Sequence, residues 1–477
     1  PAEYPWDNAE IRKIDFSPLP HNDHYELDLH KPYIDQVALE LDGEKLTRTS
    51  EVMDVWFDSG AMPYAQSHVL QTDMDWNPAP ADYIAEGVDQ TRGWFYTMHA
   101  IANLLGDAPT NNYKNVTCLG LLMAADGTKM SKSKGNIVSP WEVFQKFGAD
   151  VARFWFYSVN APGETKNFDE KSLDEVNKKV FNPLRNVVSF YEMYKSDEVL
   201  LQDPLQSTNV LDQWILSLWA QTHATVTAGL DTYDMLTPSR AIKDFISELS
   251  TWYIRRSRDR FKSDDINDRN YALATTRYIL KNIAITMAPF TPFLAEELWQ
   301  TLRHEGDEVS VHLCDWASIV STGQNQSEVL KNMEIVRNIV TLGLEARQQS
   351  NIKVRQPLQS LTIASNTLGQ EYLDIICDEL NIKQVITDEA LTPDQVILDI
   401  VITDELRDEG DMRDIIRSIQ DMRKSAELVP SDVVTVTLTT AEPAWFNNNQ
   451  TLTTELLTTV GAREIVWGSE GDKVEKI

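Results

Sequence analysis

Basic residues are scarce in this chain. Lysine and arginine number 43 against 73 aspartates and glutamates, a formal net charge of -30. That disfavours loose, sequence-indifferent nucleic-acid binding, which needs a broad basic surface to displace counterions. One specific RNA partner held by local basic patches stays open. Cysteine is scarcer still: Cys118, Cys314 and Cys377 lie far apart, which excludes a disulfide framework and a four-cysteine zinc site. A reducing cytosol fits. No apolar run reaches the ~18–20 residues that span a bilayer. Pro1–Trp6 show no basic stretch leading into an apolar core, so no signal peptide is expected, and the lack of an initiator Met fits a chain cut or processed from a longer one. No internal repeat or low-complexity tract stands out.

What is present is ordinary globular material, 42% hydrophobic over 477 residues, enough for two to four cores. Residues 1–50 read as irregular, interrupted by Pro18, Pro20 and Pro32, the tail of an upstream insertion. Residues 51–165 alternate short apolar runs with helical patterns. Strands are expected at 83–85 and 116–119, and helices at 90–105 and 140–158, the second broken near Gly148. That alternation argues for a parallel α/β sheet. Residues 166–327 turn helical, with apolar side chains at three- and four-residue spacing, as in Leu211, Trp214, Ile215 and Leu218. The pattern predicts a bundle followed by a linker over 310–327. Residues 328–477 read as a junction helix (328–349) and an α+β domain, with strands at 382–387, 396–403 and 432–440 and a charged helix over 404–427.

The strongest chemical signal is Lys129-Met130-Ser131-Lys132-Ser133-Lys134-Gly135-Asn136, in a polar loop after Asp126-Gly127. Compact ammonium charges on a mobile loop can follow a phosphoryl group and stabilise charge growing on a leaving pyrophosphate. A random Lys-Ser run would be a solvated loop, but this octapeptide matches letter for letter the second signature of class I aminoacyl-tRNA synthetases. Asp54-Val55-Trp56-Phe57-Asp58-Ser59-Gly60 and Glu86-Gly87-Val88-Asp89-Gln90-Thr91-Arg92-Gly93-Trp94-Phe95 resemble the isoleucyl-tRNA synthetase family more than its valyl and leucyl relatives. Asp28–Tyr33 and Ile352–Leu358 resemble it too.

The resemblance implies a fold of several domains. These are the second half of a Rossmann-type class I catalytic domain, an α-helical anticodon-binding bundle and a small α+β C-terminal domain. It implies isoleucine–tRNA ligase chemistry: L-isoleucine activated with ATP and Mg2+, then transferred to tRNA(Ile). Lys129 and Lys132 would steady the pyrophosphate. Glu86, Gly87, Asp89, Gln90 and Lys132 would hold ATP or the adenylate. Trp56 and Trp94 would wall the side-chain pocket, where core packing is the commoner use of tryptophan. Arg255, Arg256, Arg258 and Arg260, with Arg347, Lys353 and Arg355, are candidate tRNA contacts; a solvated helix face with acid partners such as Asp259 is the competing reading.

The first class I signature, His-x-Gly-His, is missing. His21-Asn22-Asp23-His24 has its spacing without the glycine. The missing N-terminal portion of the same enzyme is therefore an expected partner. Leu39–Glu44 stand where many relatives carry a Cys-x-x-Cys knuckle, so no structural zinc is expected. The alternatives are a tRNA-binding, non-catalytic half of a split or truncated synthetase, or valyl specificity.

Overall fold

A computed structural model of the chain describes residues 11–14, 18–50, 55–66, 80–105, 112–131, 135–196, 202–317, 326–429 and 432–477. It divides into two compact units, residues 1–122 with 162–166, and 123–161 with 167–477.

In the first unit, β1 (Ile11–Lys13), β2 (Leu39–Leu41) and β3 (Glu44–Leu46) form a small antiparallel sheet. The region expected to be irregular thus holds a hairpin. Its two-residue turn, Asp42-Gly43, has φ of 51° and 82°, the left-handed pair that a tight hairpin demands. Three-residue strands are too short to show a period of two, and only the Asp-Gly pair announced them. Two short helices follow, α1 (Val55–Gly60) and α2 (Met62–Gln66). Then β4 (Ile84–Gly87), a 3-10 turn (Val88–Arg92), α3 (Trp94–Leu105) and β5 (Val116–Leu119) make a strand–helix–strand unit. β4 and β5 are parallel, with Glu86 opposite Cys118. Ile84, Phe95 and Met98 seal α3 onto the strands.

Past the short strands β6 (Leu122–Met123) and β7 (Lys166–Asn167), the second unit is mainly helical. Helices α4 (Pro140–Phe147) and α5 (Ala149–Ser158) are separated at Gly148, whose φ of 87° ends the first. The bundle comprises α6 (Glu170–Val176), α7 (Asn182–Tyr194), α8 (Val210–Asp231), α9 (Leu236–Glu248), α10 (Arg255–Ser257), α11 (Ile266–Met287) and α12 (Pro292–Leu302). A π-helical stretch, Leu249–Ile254, carries α9 into α10. Side chains of Asp169, Asn209 and Asp265 cap α6, α8 and α11 by accepting from exposed backbone N–H groups. Trp155, Trp219, Phe245, Tyr253 and Phe261 are almost fully buried between them.

Next come α13 (Gln326–Gln349), β8 (Leu358–Ala364), α14 (Gln370–Leu380), β9 (Ile382–Asp388) and β10 (Val396–Leu398). Their apolar side chains belong to the bundle's core. The strand expected over 396–403 is only three residues long, because Asp399 turns the chain by accepting from the Val401 amide at 3.0 Å. Last come α15 (Asp404–Ser425), β11 (Val434–Leu438), α16 (Ala444–Asn448), α17 (Gln450–Val460), β12 (Ala462–Trp467) and β13 (Lys473–Lys476), with a separate core around Ile419, Val436 and Leu456.

These two segments repeat one arrangement, which composition and spacing had not announced. In each, a long helix leads to a strand, a crossover helix and a parallel strand, and the last strand lies antiparallel on the first strand's free side. The residue ending the crossover helix is left-handed in both, Asn381 and Gly461.

Candidate functional site

The β4–turn–α3 element builds a pocket. Glu86 stands near the carboxyl end of a parallel strand, where open α/β sheets present ligands. Gly87 follows it, and a methyl group there would lie 2.6 Å from Asp89 Oδ1. The turn is held by Gln90, whose Oε1 accepts from the Trp94 amide at 2.8 Å, starting α3. A cavity of about 360 Å³ opens among Trp56, Ser59, Glu86, Gln90 and Trp94. The Trp94 indole N–H donates to the Ser59 carbonyl at 3.1 Å, and Ser59 Oγ donates to the Trp56 carbonyl at 3.0 Å. The cavity is apolar along its tryptophan walls and carries an exposed carboxylate at one side. Such a shape suits an aliphatic side chain with a cationic or hydroxyl-bearing head.

Five sequence-nominated residues thus gather in one place: Trp56, Glu86, Gln90 and Trp94 around the cavity, and Gly87 beside them. Asp89 is in the same turn, exposed, with Gln90 Nε2 at 3.5 Å. Asp54 lies outside the described residues. Ser59 had not been singled out; its signal was its place in the Asp54–Gly60 motif.

In the second unit, the lysine loop rests on a tight turn. Ala124 N–H donates to the Thr128 carbonyl at 2.9 Å, and Gly127 has φ 77°. Asp126 Oδ1 accepts from both the amide and the hydroxyl of Thr128. Lys129 is exposed. Lys132, Ser133 and Lys134 lie outside the described residues. Asn136 staples the ends of the loop: its Oδ1 accepts from the Ser131 amide at 2.9 Å, and its Nδ2 donates to Thr128 Oγ1 and the Lys129 carbonyl, each at 3.3 Å. Sequence reasoning had quoted Asn136 without giving it this work.

The candidate tRNA contacts do not form one face. Arg260 is mostly but not fully buried, its side chain 11% exposed, and its guanidinium donates to Asp212 and Asp268. Burial alone would lower its pKa, but the two carboxylates raise it overall. Asp212 is 0% exposed and also accepts from Tyr253 and Ser207. Arg347 is 1% exposed and donates to the carbonyls of Lys353, Gln356 and Asn381, each at 3.0 Å. Burial pushes its pKa down to about 10, so it stays charged at neutral pH. Both arginines are spent on the fold, so they are not carried forward as phosphate ligands. Arg255 pairs with Glu379, Arg256 with Asp378 and Glu379, and Arg355 with Asp414. Sequence spacing could not show these partners, which are more than 50 residues away. Arg258 and Lys353 are exposed.

Cys118, Cys314 and Cys377 are separate free thiols. Among the described residues, no group of three or more His, Cys, Asp or Glu could hold a metal ion, and no helix is long and apolar enough to cross a membrane.

Comparison with known proteins agrees with this geometry. Residues 17–169 match the family model of class I tRNA synthetases (I, L, M and V), and 212–363 match the anticodon-binding domain of tRNA ligase. The catalytic match contains the pocket and the lysine loop, so the chain is part of a class I aminoacyl-tRNA synthetase. Its curated relatives narrow the class. The isoleucine–tRNA ligase of Clostridium novyi is 43% identical over 374 residues, 76% of this chain and 36% of that protein. The Deinococcus radiodurans ligase is 39% identical over 402 residues, 80% and 37%. That of Dehalococcoides mccartyi strain 195 is 37% identical over 441 residues, 86% and 43%. Within the class, the chain belongs to the isoleucyl-tRNA synthetase family, and it spans about two fifths of the length of these relatives.

Proposed function

We propose that the chain works as part of an isoleucine–tRNA ligase, which joins L-isoleucine to ATP as an adenylate and then passes it to the terminal ribose of tRNA(Ile). The single observation that carries this reading is the cavity between Trp56 and Trp94 with Glu86 at its side. Its two indoles offer apolar wall to a branched aliphatic side chain. The Glu86 carboxylate can accept from the substrate ammonium or from ribose hydroxyls. Gln90 and Asp89 add polar contacts, and Gly87 lets the backbone come close.

Lys129 and Lys132 supply positive charge to the pyrophosphate as it leaves, an interaction made mainly in the transition state. Asn136 keeps the feet of their loop together. Mg2+ enters as the companion of ATP. Of the candidate tRNA contacts, Arg258 and Lys353 are exposed and would meet a phosphate.

The test uses the full-length protein that contains this chain. Pyrophosphate exchange should be strong with isoleucine and weak with valine, and Lys132→Ala should slow adenylate formation by at least ~100-fold with little change in stability. Equal use of valine would move the specificity, and an unslowed Lys132→Ala would remove the loop from the chemistry. Residues 1–477 alone should show no exchange, because reactants that are not held in line lose an advantage worth ~7–11 kcal/mol.

A further inference from the structure

A methyl group added to Gly60 would sit 2.8 Å from both the carbonyl carbon and Oγ1 of Thr97, and 2.9 Å from its Cβ. Ordinary contact begins at 3.4 Å. Two of the three atoms are fixed to the α3 backbone, so the conflict cannot be relieved by swinging a side-chain tip. Gly60 is buried at the end of α1, and no other residue type lets α1 approach α3 this closely. This contact joins the two walls of the pocket. Helix α1 carries Trp56 and the Ser59 carbonyl. Helix α3 carries Trp94, whose indole N–H reaches that carbonyl at 3.1 Å. Thr97 stands on the same first turn of α3 and donates to the Gly93 carbonyl at 3.1 Å. Gly93 closes the other side: a methyl group there would lie 3.4 Å from Trp56 Cη2 and 2.5 Å from Gln90 Oε1.

We propose that Gly60 is a specificity-setting positioning residue: by letting α1 rest on Thr97, it fixes the gap between Trp56 and Trp94 and so the largest aliphatic side chain the pocket accepts. Gly60 lines no part of the cavity itself and acts through the helix that bears Trp56. A Cβ at this place forces α1 off α3, stretches the Ser59–Trp94 hydrogen bond and widens the gap. Apolar pockets discriminate weakly for each methylene, a limit for which isoleucyl enzymes are the usual illustration. A small change of gap should therefore read out directly in selectivity. The inference rests on the amino-acid-pocket reading above.

The experiment measures pyrophosphate exchange in the full-length protein for isoleucine, valine and 3-ethylnorvaline, a β-branched homologue one methylene larger than isoleucine. Gly60→Ala intrudes on the gap from α1, and Thr97→Ile from α3. Each should raise use of 3-ethylnorvaline relative to isoleucine, in kcat/KM, by about tenfold, with a smaller loss of isoleucine turnover. A folded variant of either kind with the native ratio would overturn the proposal. So would failure of both to melt cooperatively, because a contact that tolerates no loosening serves stability and not selection. If the native protein does not prefer isoleucine, the pocket reading itself fails, whatever the variants do.

Discussion

Residues 326–402 and 404–477 are built to the same plan, down to individual hydrogen bonds. Near the end of each long helix an arginine is buried, Arg347 at 1% exposure and Arg423 at 4%. Four residues on, the chain turns through a left-handed residue, Asn351 and Glu427, both at φ 55°. The following amides, Ile352 and Leu428, donate to the carbonyls of Arg347 and Arg423. The arginines then donate to equivalent carbonyls, those of Lys353 and Gln356 in one copy and Val429 and Asp432 in the other. The first strand begins with Leu358 donating to Asn381 in one and Val434 donating to Gly461 in the other. The bonding differs in a third bond that Arg347 makes, to the Asn381 carbonyl, and the surroundings differ more. In α14, Tyr372, Ile376 and Leu380 are buried, Leu380 against Gly343 of α13, while Ile375 and Glu379 are buried as well, and Glu379 takes Arg255 of the bundle. In α17, Leu452, Leu456 and Val460 occupy the inward places, but the matching outer places are Glu455 and Thr459, both exposed. One copy is part of a large core; the other must hold its own small one. Identical local chemistry should therefore contribute differently to stability, as in stacked repeats whose strength comes from their neighbours.

The largest effect should come from Arg347→Leu. Three carbonyls each lose a part-buried hydrogen bond from the guanidinium, a cost of roughly 3 kcal/mol. Because the first copy shares the bundle's core, one cooperative calorimetric transition should move as a whole. Arg423→Leu should cost less, about 1–2 kcal/mol, since only two carbonyls are served and Nη1 already lacks a partner among the described residues. Hydrogen exchange should then quicken in 404–477 and stay unchanged in the bundle. Equal losses from the two variants, or bundle exchange following Arg423, would break the comparison. Glu379→Gln comes next. It removes the charge that Arg255 and Arg256 share, and with Arg255 half-exposed the loss should be only about 1 kcal/mol. Thr459→Ala, at the matching place of the second copy, should stay within ~0.5 kcal/mol. Urea midpoints of the pair would show whether the docking face matters only where something docks.

The smallest difference is one of pH. The first copy has Gln356 where the second has Asp432. Hydrogen bonds from Lys476 and the Val429 amide hold the Asp432 carboxyl below its ordinary value. A carboxylate lowered by folding stabilises the fold above its unfolded pKa, near 3.9, and that contribution fades as pH falls through the folded value. Between pH 5 and pH 3, exchange in the second copy's turn should quicken relative to the first, after correction for its intrinsic acid dependence. Asp432→Asn should abolish the difference, and its persistence would assign it elsewhere.

Much of the architecture could be read in advance where the signal was local. The parallel strands at 84–87 and 116–119 were near where apolar runs placed them, and Gly148 broke its helix because a positive φ suits glycine. The junction helix and the charged helix were visible in their spacing. The residues lining the pocket were legible because two short motifs hold most of them. The candidate RNA face was not, because a guanidinium reads alike whether it meets a phosphate or a carboxylate folded back from far along the chain. The duplication was also hidden. Its two copies keep backbone bonds and a row of buried apolar positions but not the residue types, as Asn381 against Gly461 and Gln356 against Asp432 show.

By itself, then, the sequence determined the family, the helical and strand segments with a strong period, and the two short motifs that hold Trp56, Glu86 and Trp94. Those depend on residues close together in the chain. Only tertiary structure decided that Arg260 and Arg347 anchor the fold, that Ser59 and Asn136 hold their neighbours in place, and that Gly60 must lack a side chain. Each of these is a matter of distance between segments, and a backbone carbonyl or a neighbouring helix leaves no mark in the sequence of the residue that meets it.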